Sequence, residues 1–171
     1  LIDDSNKTSE IKKDPIFNKN DLKIGLSWKS VVSIYGKLKS LNLSDFKPLI
    51  KKNRQFINLQ YGDVDEEIKQ KVNQGFNIYS FEKIDLFNDL EYLMSILKNL
   101  DVFITVSNST AHLASAMGVK TFLICPKKSS TYFYWSNENN KTPWYQNVEI
   151  FNNYNSIEEL FNNINESLNN L

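Results

Sequence analysis

The sequence has very little of what several common protein classes need. Its 171 residues include one cysteine, Cys125, and one histidine, His112. An internal disulfide or a cysteine-rich metal site is therefore excluded, and no metal is expected. No apolar run approaches the roughly 18 to 20 residues that cross a bilayer, and no signal-peptide pattern opens the chain. We expect a cytoplasmic protein with no membrane insertion.

Glycine is also scarce, and charge of either sign is not in excess. Gly25 is followed by no other glycine until Gly36, so the G-x-G-x-x-G turn of dinucleotide-binding dehydrogenases is missing, as is the G-x-x-x-x-G-K-[ST] phosphate loop. Twenty basic and twenty acidic residues give a formal net charge of zero, which argues against a nucleic-acid partner. Because the chain begins at Leu1, we expect it to be part of a longer parent protein.

Short apolar runs alternate with segments of helical period, which predicts an α/β fold: a Rossmann-like open parallel sheet of about six strands with helices on both faces. Residues 1–20 are polar and contain Pro15, and are expected to form a tail or linker. Residues 21–171 are expected to form one domain. The predicted strands are Lys23–Trp28, Phe56–Gln60, Phe76–Tyr79, Val102–Val106, Val119–Cys125 and Val148–Phe151. The predicted helices are Ser44–Lys52, Val64–Gln74, Asp89–Asn99, Ser109–Met117 and Ile157–Leu168.

The last of these helices has the clearest apolar stripe. Its apolar residues fall at helical spacing, at Ile157, Leu160, Phe161, Ile164 and Leu168. Such a stripe indicates packing on the protein's own sheet or docking on a partner domain, and the first interpretation is favoured.

The most informative loop follows the fourth predicted strand. Ser107, Asn108, Ser109 and Thr110 are all helix-capping residue types and precede a short helix. A helix start with unpaired N–H groups and hydroxyls favours a phosphate, but ordinary N-capping needs only one of the four. His112, in the first turn, can bond a phosphate or hydroxyl as a neutral imidazole or serve a structural role.

Two further loops carry cations and aromatic rings. Lys29, Ser30, Lys37, Lys39 and Ser40 follow the first strand, where the lysines either neutralise a diphosphate or form a solvated basic loop. The stretch 126–144 contains Lys127 and Trp135 among several aromatics. Its rings either stack on a base or sugar or cover the edge of the sheet.

In their order along the chain these segments resemble the C-terminal, donor-binding half of GT-B glycosyltransferases. The resemblance is to those related to the family 9 heptosyltransferases and those linked to tetratricopeptide repeats. The segments that carry it are IGLSWKS (Ile24–Ser30), KSLNLSDFKPL (Lys39–Leu49), FINLQYGD (Phe56–Asp63), IDLFNDLEYL (Ile84–Leu93), VFITVSNSTAHLASAMGVKTFLICP (Val102–Pro126), YFYW (Tyr132–Trp135) and PWYQNVEIF (Pro143–Phe151).

The resemblance implies a nucleotide-sugar donor lying across the strand ends. Ser109 and Thr110 would hold the diphosphate, Lys39 would neutralise it, and Asp85 to Asn88 would lie near the nucleoside. The full set of nucleotide- or diphosphate-binding candidates is Lys29, Ser30, Lys39, Asp85, Asn88, Ser107, Asn108, Ser109, Thr110 and His112, with Lys127 and Trp135 as donor-loop candidates. Heptosyltransferases have an Asp-Thr pair in the turn where this chain has Ser107 and Asn108, so heptose itself is not implied.

The resemblance also implies that the acceptor site and catalytic base belong to an N-terminal domain of the parent, so no catalytic residue is assigned here. The expected partners are the nucleotide sugar and that domain, and no cofactor or metal is required. Two alternatives remain open: a non-catalytic scaffold or interaction domain that retains the fold, and a sugar-nucleotide epimerase.

Overall fold

A computed structural model describes residues 4–18, 20–30, 36–82, 84–125, 134–135 and 141–171 of the chain. Within these residues six strands form one parallel sheet in the order β3-β2-β1-β4-β5-β6. The strands are β1 (Leu22–Ser27), β2 (Arg54–Asn58), β3 (Ile78–Tyr79), β4 (Val102–Val106), β5 (Thr121–Ile124) and β6 (Val148–Phe151). The predicted Rossmann-like parallel sheet is confirmed.

Helices connect the strands and cover both faces of the sheet. The α-helices are α1 (Asp4–Lys12), α2 (Gly36–Lys39), α3 (Asp65–Asn73), α4 (Leu90–Leu97), α5 (Ser109–Ala116) and α6 (Ile157–Asn169), and 3₁₀ helices span Pro15–Asn18 and Leu43–Leu49. Among the helices described, none combines the length and apolarity needed to cross a membrane.

The core divides into two main layers because successive strand residues point to opposite faces of a sheet. On β4, Ile104 belongs to the cluster beneath α3 and α6, whereas Phe103 belongs to the cluster beneath α1, α4 and α5. Phe161 of α6 is fully buried and meets Phe46 edge-on, with ring centroids 5.1 Å apart. The α6 stripe therefore packs on its own sheet, as favoured, apart from Ile157, which is 42% exposed.

The N-terminal segment differs from its prediction as a tail. Asp4–Lys12 forms α1, which packs against α4, and Ile11 and Ile16 are only 5% and 6% exposed. The Tyr79 hydroxyl donates a hydrogen bond to Asp14 at 2.8 Å. The segment has few apolar residues and no periodic stripe of its own, so its order depends on partners far away in sequence, which a local pattern cannot reveal.

The helix predicted at Ser44–Lys52 is a 3₁₀ helix at Leu43–Leu49 that contains Pro48. Proline has no N–H to donate and disfavours α conformation in the residue before it, so the segment does not continue as a regular α-helix. Its buried side chains, Leu43, Phe46 and Leu49, still face the core.

Candidate functional site

The strand order indicates where a ligand crevice is expected. β1 and β4 are neighbours, and the chain proceeds outward from them in opposite directions, through β2 on one side and β5 on the other. Ligands of open α/β sheets bind outside the carboxyl ends of the strands at this switch point. The residues that follow β1, β2 and β4 therefore define the candidate site.

In the turn of small polar residues after β4, two of the four side chains form hydrogen bonds within the protein. Asn108 is the N-cap of α5, and its side-chain oxygen accepts a hydrogen bond from Ala111 N at 2.9 Å. Ser107 Oγ accepts from Trp135 Nε1, also at 2.9 Å. These two side chains are 8% and 6% exposed. Two of the four predicted anion ligands thus have structural bonds, including the ordinary N-cap.

The other two residues of the turn face a cavity. Ser109 is exposed and Thr110 is buried, and both line a cavity of about 220 Å³. It adjoins a second cavity of about 600 Å³ at the ends of β2 and β3. Tyr61, Leu86 and Phe87 line both. We call these two adjoining cavities together the carboxyl-edge crevice.

An aromatic pair stands where the two cavities meet. The rings of Tyr61 and Phe87 have centroids 5.7 Å apart at an interplanar angle of 50°. Phe87 is 65% exposed, which is unusual for a phenylalanine in a single folded domain. The resemblance had implied that the range 85–88, which includes Phe87, lies near the nucleoside. Tyr61 was not singled out, although it directly follows the predicted strand Phe56–Gln60.

The segment from Asp85 to Asn88 forms a rigid turn on the rim of the crevice. The Asp85 carboxylate accepts hydrogen bonds from Asn88 Nδ2 at 2.7 Å, Phe87 N at 2.9 Å and Asn88 N at 3.1 Å. These bonds, that from the Asn88 side chain first, hold the pKa of Asp85 below its usual value. Asp85 lines the larger cavity, and its turn presents Phe87 to the crevice.

The loop after β1 is tied to α3 by a carboxylate. Lys29 Nζ lies 2.5 Å from Glu67 Oε2, and Glu67 also accepts from Trp28 Nε1 at 3.3 Å and Leu43 N at 3.1 Å. Burial raises the pKa of Glu67, but the bonds from Lys29, Leu43 and Trp28 outweigh it and bring the pKa below its usual value. The charge of Lys29 is therefore already balanced within the protein.

Ser30 and Lys39 lie on the same loop. Ser30 N donates to Ser40 Oγ at 3.0 Å, and Ser40 Oγ donates to Gly36 O at 2.7 Å, so Ser40 links Ser30 to the start of α2. The charge of Lys39, the last residue of α2, acts on Cys125 after β5. Burial raises the pKa of the Cys125 thiol to about 12, and Lys39 partly opposes this. Cys125 is an inert core residue, and Lys39 belongs to the carboxyl edge.

His112 lies in an aromatic cluster and not in open solvent. Its ring stacks on Trp135 with centroids 4.3 Å apart, and Nδ1 is 3.3 Å from the Tyr145 hydroxyl. Burial lowers the pKa of His112 and so favours the neutral form of the imidazole. Trp135 is fully buried against Leu123 and the β6 residues of the same cluster, so it covers the end of the sheet. Lys127, the other donor-loop candidate, lies outside the described residues.

Among the residues described, no group of three or more His, Cys, Asp or Glu side chains is placed to hold a metal ion.

Comparison with known proteins connects this architecture to glycosyltransferases. No family model matches the chain. Its fold resembles the E. coli ADP-heptose lps heptosyltransferase II, with a TM-score of 0.66 at 12% identity, covering 97% of this chain and 51% of that one. It also resembles a glycosyl transferase family 9 protein from Veillonella parvula, with a TM-score of 0.52 at 13% identity, covering 97% and 44%. At these identities the likeness shows the fold.

One curated protein gives a closer match in sequence. Protein FlbA of Caulobacter vibrioides is 34% identical over 141 residues, which is 75% of this chain and 22% of that protein. The chain thus spans about a fifth of FlbA and about half of the two glycosyltransferase structures.

Proposed function

We propose that this chain is the donor-binding part of a glycosyltransferase and that it holds a nucleotide sugar in the carboxyl-edge crevice. The observation that carries the proposal is that the Tyr61–Phe87 pair lines the same cavity as Ser109 and Thr110 at the start of α5. The two cavities of the crevice fall together within the range of small-molecule sites. The fold likeness to family 9 glycosyltransferases supports the choice of ligand class.

In this proposal the diphosphate is held at the start of α5. The first N–H groups of a helix and its dipole favour an anion, and the exposed Ser109 hydroxyl adds a donor. Lys39 contributes positive charge from the end of α2. Lys29, on the same loop, is paired with Glu67.

The nucleoside is proposed to occupy the larger cavity, beside Tyr61 and Phe87. Any nucleobase can stack on an aromatic side chain, and Phe87 is largely exposed. Asp85 and Asn88 form the turn beneath that ring. Their role is to hold Phe87 in place at the rim.

The chemistry proposed for the longer parent protein is transfer of the sugar to an acceptor hydroxyl. The hydroxyl attacks the anomeric carbon, the bond from that carbon to the diphosphate oxygen breaks, and the nucleoside diphosphate leaves with the electron pair. This chain's contribution is electrostatic, since the α5 start and Lys39 stabilise the charge that develops on the leaving phosphate. The acceptor site and the base that removes the hydroxyl proton are proposed to lie in another domain of the parent.

The direct test is calorimetry and thermal shift of this chain with UDP, GDP, ADP, CDP and their sugar conjugates, each with and without magnesium. Selective stabilisation by one diphosphate supports the proposal and identifies the base. Equal or absent responses to all of them, in this chain and in a longer parent protein, would overturn it.

A second candidate, a non-catalytic scaffold that retains the fold, is favoured by one observation. The side chains of Lys29, Ser107 and Asn108 all have internal partners, so fewer polar groups of the site remain for a ligand. A parent protein that binds no nucleotide but keeps its cellular partners would support this alternative.

A further inference from the structure

We propose that the turn after β1 is a backbone anion nest that the chain fills with its own Gln60 carboxamide, and that Gln60 thereby positions the start of α5. The N–H groups of Trp28 and Lys29 donate to Gln60 Oε1 at 2.9 and 2.7 Å. The Ser27 hydroxyl donates to the same oxygen at 3.1 Å. Successive backbone N–H groups that converge on one point are how proteins hold anionic oxygens.

The Gln60 side chain is locked in this orientation. It is 3% exposed, and its Nε2 donates to Tyr61 O at 2.9 Å. Its own N–H donates to Asn58 Oδ1 at 2.9 Å. Since a backbone N–H can donate only to an acceptor, the bonds from Trp28 and Lys29 require the oxygen, and not the amide nitrogen, inside the nest.

A continuous chain of hydrogen bonds leads from Gln60 to α5. Ser27 Oγ, which donates to Gln60, accepts from Asn108 Nδ2 at 2.9 Å. Asn108 Oδ1 in turn accepts from Ala111 N in the first turn of α5. Ser27 is fully buried and Asn108 nearly so, at 0% and 8% exposure, which strengthens these bonds. The ends of β1 and β2 and the start of α5 are thereby held in one arrangement.

This arrangement decides where an anionic ligand can bind at the carboxyl edge. The β1 nest is filled by a neutral oxygen, and the adjacent Lys29 is paired with Glu67. At the smaller cavity, Ser109 and Thr110 at the start of α5 supply hydroxyl donors. Gln60 also lines the larger cavity, and we assign it a positioning role that acts through Ser27 and Asn108. Its effect on nucleotide binding rests on the proposed function, whereas the nest itself does not.

The test is chemical rescue of Gln60→Ala, which empties the nest. We expect a lower melting temperature that acetate or formate restores saturably, by about 3 to 5 °C at a tenfold excess over the dissociation constant. Chloride at equal ionic strength should not restore it. The matched control is Gln55→Ala on β2, the strand that ends just before Gln60. Gln55 is 2% exposed and bonds Phe56 O and Asn77, but it accepts from none of the nest donors. The proposal is overturned if acetate raises the melting temperature of Gln60→Ala, Gln55→Ala and the wild type equally, or raises none of them.

A second variant covers the case in which Gln60→Ala does not fold. Gln60→Glu keeps an oxygen for the three donors, and we expect it to melt above Gln60→Ala and to ignore acetate. If Gln60→Ala folds only in acetate, its refolding yield replaces the melting temperature. A Gln60→Glu variant that responds to acetate, or refolding that is equal in acetate and chloride, contradicts the nest.

Nucleotide binding is measured on the same samples. If the wild type binds a nucleoside diphosphate, Gln60→Ala should weaken it and acetate should restore it. If the wild type binds none, the proposed function fails while the carboxylate rescue still decides the nest.

Discussion

Asn108 donates a hydrogen bond from Nδ2 to Ser27 Oγ at 2.9 Å, across 81 positions of sequence. The bond joins the turn after β4 to the end of β1 at the point where the strand order reverses. The same Asn108 caps α5 with its other side-chain atom. One residue therefore fixes both where α5 begins and how it sits against the neighbouring strand.

Removing the side-chain hydrogen bonds of Asn108 should lower stability. We expect Asn108→Ala to lower the free energy of unfolding by about 1 to 2 kcal/mol, since it removes the cap and leaves the Ser27 hydroxyl with one partner fewer. Asn108→Asp keeps the capping oxygen and should lose less. Urea unfolding of both variants is the measurement. If Asn108→Ala and Asn108→Asp lose equal free energy of unfolding, the bond to Ser27 contributes more than the cap.

Ser109→Asp should move stability and ligand binding in opposite directions. A negative charge in the first turn of α5 interacts favourably with the helix dipole and should raise the free energy of unfolding by about 0.3 to 1 kcal/mol. The same charge repels a diphosphate at the helix start, and we expect at least a roughly tenfold loss of nucleotide affinity. Ser109→Asn is the neutral control. Unchanged affinity in Ser109→Asp would remove the diphosphate from this position.

Phe87→Ala should weaken nucleotide binding without unfolding the protein. Its ring is 65% exposed, so its truncation costs little stability. Loss of stacking should lower affinity by about 1 to 3 kcal/mol per base. Val72→Ala on α3 is the control, because Val72 is also exposed, at 46%, and does not line the crevice. Calorimetry that gives equal affinities for Phe87→Ala and Val72→Ala would place the base elsewhere.

The single histidine offers a clean pH probe. Burial lowers the pKa of His112 in the folded state below its ordinary value of 6.5. The unfolded chain therefore takes up the proton first, so stability that is complete above about pH 6.5 should fall as the pH drops towards the folded pKa. The ring-proton NMR titration of His112 measures this directly. His112→Gln, compared by urea unfolding at pH 7.5 and 5.5, should lose less stability on acidification than the wild type.

Much of the fold follows from local patterns. The apolar runs and the intervening helical periods predicted all six strands and the start of α5 at Ser109, because β-branched runs and capping residues act locally. The error at the N-terminal segment lies where distant contacts decide. Asp4–Lys12 is helical because α4 provides a surface for it, and its own residues contain too little apolar periodicity to show this.

The candidate site divides in the same way. Sequence predicted that Ser107 to Thr110 would surround a helix start, and they do. It did not show that Ser107 bonds Trp135 or that Lys29 pairs with Glu67, because those partners are 28 and 38 positions away. It placed a ligand at the carboxyl ends of the strands, but it did not show that Tyr61 lies beside Phe87 there, because the two rings meet only in the folded protein.

By itself, the amino-acid sequence determined the class of fold, the alternation of strand and helix and the capped start of α5. All of these depend on residue type and on spacing within a few turns of chain. Only the tertiary structure decided which polar groups face the crevice and which form hydrogen bonds within the protein. A hydrogen bond needs its two partners within about 3 Å, and the neighbours of Gln60, Ser27 and Asn108 are set by the strand order, which brings together residues that the chain keeps far apart.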